Sequence, residues 1–385
     1  MKLAPVLSLA LVGVAFAACS GKGNNGFGDG GNNPGDDGGG CVGFGCNGDG
    51  GFQPGQDGAA GGCNPDPGNF DVPGNNCDDD ADGTVDNPQG ACDTGLQLKG
   101  PAADFAKAIG LCKFVTSATY TKGYNSTSAP VADQHGILTK YGSKIKPRQG
   151  SAFGVLSSGW ATEYDQCYDP QGVFKGGCPM DPNDTGSVAP PGYPKAVNGC
   201  DPATDVHDAA GITLKIKVPN NAKGFSFDFD FWSGEWPEWV CTTFNDSFVA
   251  WLTSAAFSGK AGDFNISYDT NNNPINVNNA FFQACSPANA TVGCLGTQST
   301  DKCSLGNGEL QGTGFYDPGS NCGQSDSGGG ATSWLTTQAP VQPGETITLQ
   351  FIIWDTGDQA YDSNVLIDNW QWQAGDTTVV THPVN

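Results

Sequence analysis

Glutamate, methionine and histidine are nearly missing from this chain. Its 385 residues hold 5 Glu, 2 Met and 3 His, with only 17 Lys and Arg. Few Glu, Lys and Met beside 58 Gly exclude a helical bundle, because the first three favour helices and Gly opposes them. The His residues, at 135, 207 and 382, form no His-Glu-x-x-His motif, and no Cys-x-x-Cys pair occurs. The common zinc arrangements are thereby excluded. No Gly-x-Ser-x-Gly elbow is present, and no Gly-rich segment leads into a helix as a phosphate loop does. The scarcity of basic residues leaves a formal net charge of −23. Such a chain has no electrostatic means of holding DNA or RNA.

Aspartate and cysteine are plentiful: 35 Asp and 15 Cys. That much Cys points to an oxidising compartment. The N-terminus agrees. Met1-Lys2 is followed by an apolar run from Leu3 to Phe16, of signal-peptide length and too short to span a bilayer. Phe16-Ala17-Ala18-Cys19 resembles a bacterial lipobox. Residues 1–18 are then a signal peptide, and Cys19 carries acyl chains that hold the protein to the membrane. Removing Cys19 leaves 14 Cys, an even number able to pair. Ser20 in place of Asp favours the outer membrane of a Gram-negative bacterium. No later stretch is apolar and long enough to cross a bilayer.

Residues 19–62 are Gly, Asn, Asp and Pro, the composition of a disordered stalk that gives reach. Residues 63–95 form a short Cys- and Asp-rich segment that needs disulfides or a metal in place of a core. Residues 96–385 read as one β domain. Ala102–Leu111 is the single convincing helix, ended by Gly110. Ile212–Val218, Phe225–Phe231, Phe244–Leu252, Ile347–Trp354 and Val365–Trp372 read as strands. In Phe225–Phe231 four Phe alternate with Ser and Asp, so the Phe share one face. Short strands with long polar connections predict an antiparallel β-sandwich of jelly-roll type. The loops at 163–205 and 285–330 are Cys-bearing and need disulfide staples.

Two acidic groups are candidate metal sites. Asp78, Asp80, Asp82 and Asp86 lie in an Asp-x-Asp-x-Asp-Gly-x-x-Asp run. Alternating Asp aims oxygens at one point, Gly83 permits the sharp turn, and calcium takes six to eight oxygen ligands. Gln89 stands where an EF-hand has its bidentate Glu, so the loop is similar to the shorter ones of dockerin or thrombospondin type-3 kind. The second group is Glu235, Glu238, Asn245, Asp246, Asp358 and Asp362. An oxygen-only set of this kind suits a hard cation such as calcium. As a glycosidase dyad, Glu235 and Glu238 are poorly placed, because three residues apart on an extended strand they face opposite ways. Trp232, Trp236, Trp239 and Trp251 suit a sandwich core better than sugar stacking.

These blocks, taken in order, carry a family resemblance. They are Ala106–Leu111, His135-Gly136-Ile137, Pro147–Gly150 with Leu156–Gly159, Phe227–Phe248 and Asp355–Asp368. Over roughly residues 100–375 the chain resembles the choice-of-anchor L domain of bacterial surface proteins. The resemblance implies a secreted, surface-anchored β domain, here anchored by the N-terminal lipid. The expectation is a non-catalytic binding or structural lipoprotein, calcium-stabilised, with a glycan or surface protein as partner. The rival is a secreted carbohydrate-binding or glycoside-acting protein.

Overall fold

The computed structural model describes residues 63–89, 92–162, 186–197, 199–236, 239–269, 271–278, 291–292, 297–298, 309–313, 315, 329–359 and 361–384. Cys19, the stalk and Glu238 lie outside the described residues, as do most of the loop cysteines.

The first part of the chain forms helix α1 (Ala102–Ala108) and strands β1 (Val115–Thr121), β2 (His135–Leu138), β3 (Phe153–Ser157) and β4 (Val206–Lys217). Strands β5 (Gly224–Ser233), β6 (Ser247–Thr253) and β7 (Ile275–Asn276) follow. Then come the two-residue strands β8 (Thr291–Val292), β9 (Thr297–Gln298) and β10 (Gly330–Ala331). The last are β11 (Leu335–Pro340), β12 (Thr346–Thr356), β13 (Ser363–Gln373) and β14 (Val380–Pro383).

Two antiparallel sheets pack face to face. One runs β1-β4-β12-β6-β7; the other runs β14-β11-β5-β13-β3-β2, with β10 added beside β5. The alternation of Phe in β5 positions the main core. Phe225, Phe227, Phe229 and Phe231 are fully buried between the sheets. Phe227 meets Phe351 of β12 at 4.9 Å between ring centroids, and Phe229 meets Phe248 of β6 at 5.0 Å.

The opposite face of β5 is covered as well. Asp228 is 2% exposed and Asp230 is fully buried, under a second apolar cluster that includes Tyr141, Leu310 and Trp334. Asp228 is satisfied there by Arg148 Nε at 3.1 Å, the Thr336 hydroxyl at 2.6 Å and the Asn369 amide at 2.9 Å. Sequence alternation locates the polar face of a strand. It is blind to the loops that fold over it.

Helix α1 closes one side. Asp104 in its first turn and Lys107 in its last complement the helix dipole. Gly110, at φ +93°, ends it as its composition predicts. Phe105 packs onto β3 at Gly154, where a Cβ would lie 2.3 Å from the ring. Only glycine admits that approach.

Residues 63–95 share the sandwich core. Phe70 is buried in the main cluster, and its backbone exchanges hydrogen bonds with the Asn221 side chain at 3.0 and 2.8 Å. Disulfides Cys63–Cys77 and Cys92–Cys112 fasten the segment, and Cys200–Cys241 staples a loop to the region after β5. No helix among the described residues is long and apolar enough to cross a membrane.

Candidate functional site

At one end of the sandwich the inward-facing rows change from apolar to acidic. The row Phe248, Ala250, Leu252 of β6 is preceded, in the same parity, by Asp246. The row Leu349, Phe351, Ile353 of β12 continues to Asp355. The row Phe229, Phe231 of β5 continues through Ser233 to Glu235 just past the strand. Trp354 pairs with Ser247, so the register sets Asp355 beside Asp246. Alternation thus turns all three carboxylates inward.

The result is a cluster of Glu235, Asp246 and Asp355, each with a carboxylate oxygen within 4.8 Å of the other two. All three are at most 1% exposed. Glu235 accepts from the Asp246 amide at 3.1 Å, and Asp246 Oδ2 accepts from the Ser363 hydroxyl at 2.5 Å. The Asp355 carboxyl interacts with that of Asp246, and among the described residues no other side chain or amide donates to the Asp355 oxygens. The neighbouring Asn245 is fully buried, and both its amide atoms are unpartnered among the described residues. The ion pairs among the described residues all join other groups.

Enclosure sets the electrostatics. Burial pushes Asp246 up to about 7, with the Ser363 hydrogen bond pulling the other way. Burial, then the charge of Asp246, holds Glu235 well above the usual carboxylate range. Burial, then the charges of Asp246 and Glu235, does the same to Asp355. Three carboxylates without a counter-charge are costly in a protein interior unless protons or a cation neutralise them. Oxygens bound to one calcium at about 2.3–2.6 Å lie within about 5 Å of each other. The spacing and the all-oxygen donor set fit that ion.

Of the six residues expected in this group, Glu235 and Asp246 meet at this end, joined by Asp355; Asn245 is buried beside Asp246 in sequence. Asp358 is half-buried and close enough for its charge to raise all three acids. Asp362 packs against Gly159, where a Cβ would fall 1.7 Å from its Oδ2. The segment after Glu235 is not extended: the Trp239 amide donates to the Glu235 carbonyl at 3.0 Å, closing a turn. Asp355 was legible only through strand parity, as an acid continuing a core-facing row. Trp232, Trp236 and Trp251 are buried, and Trp239 is half-buried beside Phe244 and Tyr361.

In the Asp-rich loop the structure gathers Asp78 and Asp80 with Asp71, again within 4.8 Å. Gly83 takes the expected turn at φ +95°. Asp82 and Asp86 are engaged elsewhere: Asp82 accepts from Thr84 and Asn87, and Asp86 from the amides of Asn75 and Asn76. Asp78 accepts from the amides of Asp82 and Gly83, Asp71 from those of Asp79, Asp80 and Asn87, and Lys113 Nζ sits 2.5 Å from Asp80. Donors and a lysine already balance these acids. The enclosed cluster at Glu235 is the stronger metal candidate.

Fold and site together define a disulfide-bonded antiparallel β-sandwich with an enclosed acidic cluster between its sheets. Residues 107–371 match the model of the Choice-of-anchor L domain, and the chain belongs to that family. The family is one of bacterial surface-associated proteins. No curated protein and no solved structure gives a significant match.

Proposed function

We propose that this is a lipid-anchored protein of the outer bacterial surface, whose β domain binds or supports other surface components without catalysis. A calcium ion held by Glu235, Asp246 and Asp355 stabilises the domain. The observation that carries the calcium reading is the enclosure of three carboxylates within 4.8 Å of one another, with none of the ion pairs among the described residues reaching them. Their enclosure also favours a structural role over a glycosidase role, since acids at most 1% exposed have no open face for a substrate.

Calcium alone is the probe. Melting temperature rises in calcium and falls in EDTA; terbium added to the calcium-free protein gains sensitised emission from Trp236 and Trp354, which neighbour Glu235 and Asp355 in sequence. If neither signal depends on the ion, the calcium reading is wrong.

The anchor rests on the lipobox at Cys19 and the even number of remaining cysteines. Wild type partitions into the detergent phase and Cys19→Ala into the aqueous phase. Equal partitioning removes the anchor.

A further inference from the structure

We infer that the acidic cluster is a calcium-dependent tie between the two sheets, through which calcium concentration sets the conformation of this end of the sandwich alone. The inference rests on the calcium reading above and goes beyond it. Asp246 and Asp355 belong to the first sheet, at the start of β6 and near the end of β12. Glu235 extends β5, and Ser363 begins β13, both of the second sheet. Ser233 pairs with Ser363 and Trp354 with Ser247, so four strand ends meet at one level. An ion here joins elements that at this level share no backbone ladder.

The opposite end is closed by other means. Val218, Ala222, Val341 and Ile347 are buried there in the apolar core. Backbone bonds there extend the ladders within each sheet: Val218 to Glu345 at 2.8 Å beside β4 and β12, Lys223 to Gln373 at 2.8 Å beside β5 and β13, and Val341 to Lys223 at 2.9 Å beside β11 and β5.

The connections at the acidic end also carry backbone cost. Cys241 and Tyr361 are non-glycine residues at φ +64° and +62°. Such residues persist where the surroundings over-determine them. Above the cluster, the rings of Trp239 and Phe244 lie 5.2 Å apart, and those of Trp239 and Tyr361 lie 6.3 Å apart. This aromatic patch is carried by the two connections that the ion would hold. Without the ion, the connections lose the ligand that joins them, and they open first as a local unit.

Hydrogen exchange on the oxidised full-length mature protein tests this, in calcium and in EDTA below the melting transition. Exchange in the regions 239–247 and 354–363 should rise on calcium removal, by about a hundredfold where calcium stood at 100 times its Kd. Exchange at 340–347 should not change. A selective rise supports the tie. If melting depends on calcium while exchange rises evenly at both ends, or at neither, the tie is overturned and the calcium reading stands. If neither melting nor terbium emission responds, both fall together.

Discussion

The Ser363 hydroxyl donates to Asp246 Oδ2 at 2.5 Å, joining the first residue of β13 in one sheet to the residue before β6 in the other. Both are fully buried. A hydrogen bond to an enclosed carboxylate is stronger than a neutral one and costly to lose. Ser363→Ala should therefore lower stability by about 1.5–3 kcal/mol in calcium. Chemical denaturation measures this, and a loss well under 1 kcal/mol would show that the contact is incidental.

Neutralising one acid should have opposite effects in the two media. In EDTA, wild type must protonate the enclosed Asp355 in order to fold whereas Asn needs no proton, so the melting temperature of Asp355→Asn should exceed that of wild type. In calcium the same variant lacks a ligand and should lose most of the ion's contribution, about 2.7 kcal/mol when calcium is at 100 times Kd. Paired thermal scans with and without calcium read both signs. A variant less stable in both media would point to a packing role alone.

Gly154 is fixed by the ring of Phe105, which a Cβ would approach to 2.3 Å. Gly154→Ala should cost about 1–3 kcal/mol through overpacking between α1 and β3. Pairing it with Phe105→Leu should recover part of that loss, because the smaller side chain makes room. Urea midpoints of the two single variants and the double variant decide it.

His135 introduces a dependence on acid pH. Its ring stacks on Tyr120 at 3.6 Å, and burial, aided by the charge of Lys99, lowers its pKa from 6.5 to about 4. Between those values the unfolded chain binds a proton that the folded protein does not. This contribution leaves stability intact above pH 6.5 and erodes it as pH falls toward 4. From neutral pH to about pH 4.5, wild type should lose more melting temperature than His135→Phe. Parallel slopes for the two proteins would assign acid sensitivity to other groups.

Much of the fold was legible in local pattern. The five strands expected from alternation appear as β4, β5, β6, β12 and β13, with ends moved by a few residues. They lie inside the sandwich, where burial forces a strict apolar period. Strand β1 was harder to read because only its last residue, Thr121, is buried. Strands β2 and β3 are buried on both faces and too short to show a period.

The candidate site was legible in part. Glu235 and Asp246 belong to the acidic group expected to bind metal, whereas Asp355 is named only as the start of the Asp355–Asp368 block of the family resemblance. Its role depends on the pairing of β12 with β6, which no local window contains. The Asp-rich loop shows the converse. Four Asp at calcium spacing suggested one shared ligand shell, but Asp82 and Asp86 are engaged by Thr84, Asn87, Asn75 and Asn76, and Asp71 comes in from outside the motif.

By itself the sequence determined the β class, helix α1 and the surface family, because alternation, turn composition and motif order are local properties of the chain. It also gave cysteine and aspartate their weight by leaving so little Glu, Lys and Met for helices. Only the tertiary structure decided which acids meet. Three carboxylates more than a hundred residues apart at the extremes share one enclosed space because two sheets bring their strand ends to the same level, and burial there raises the pKa of each.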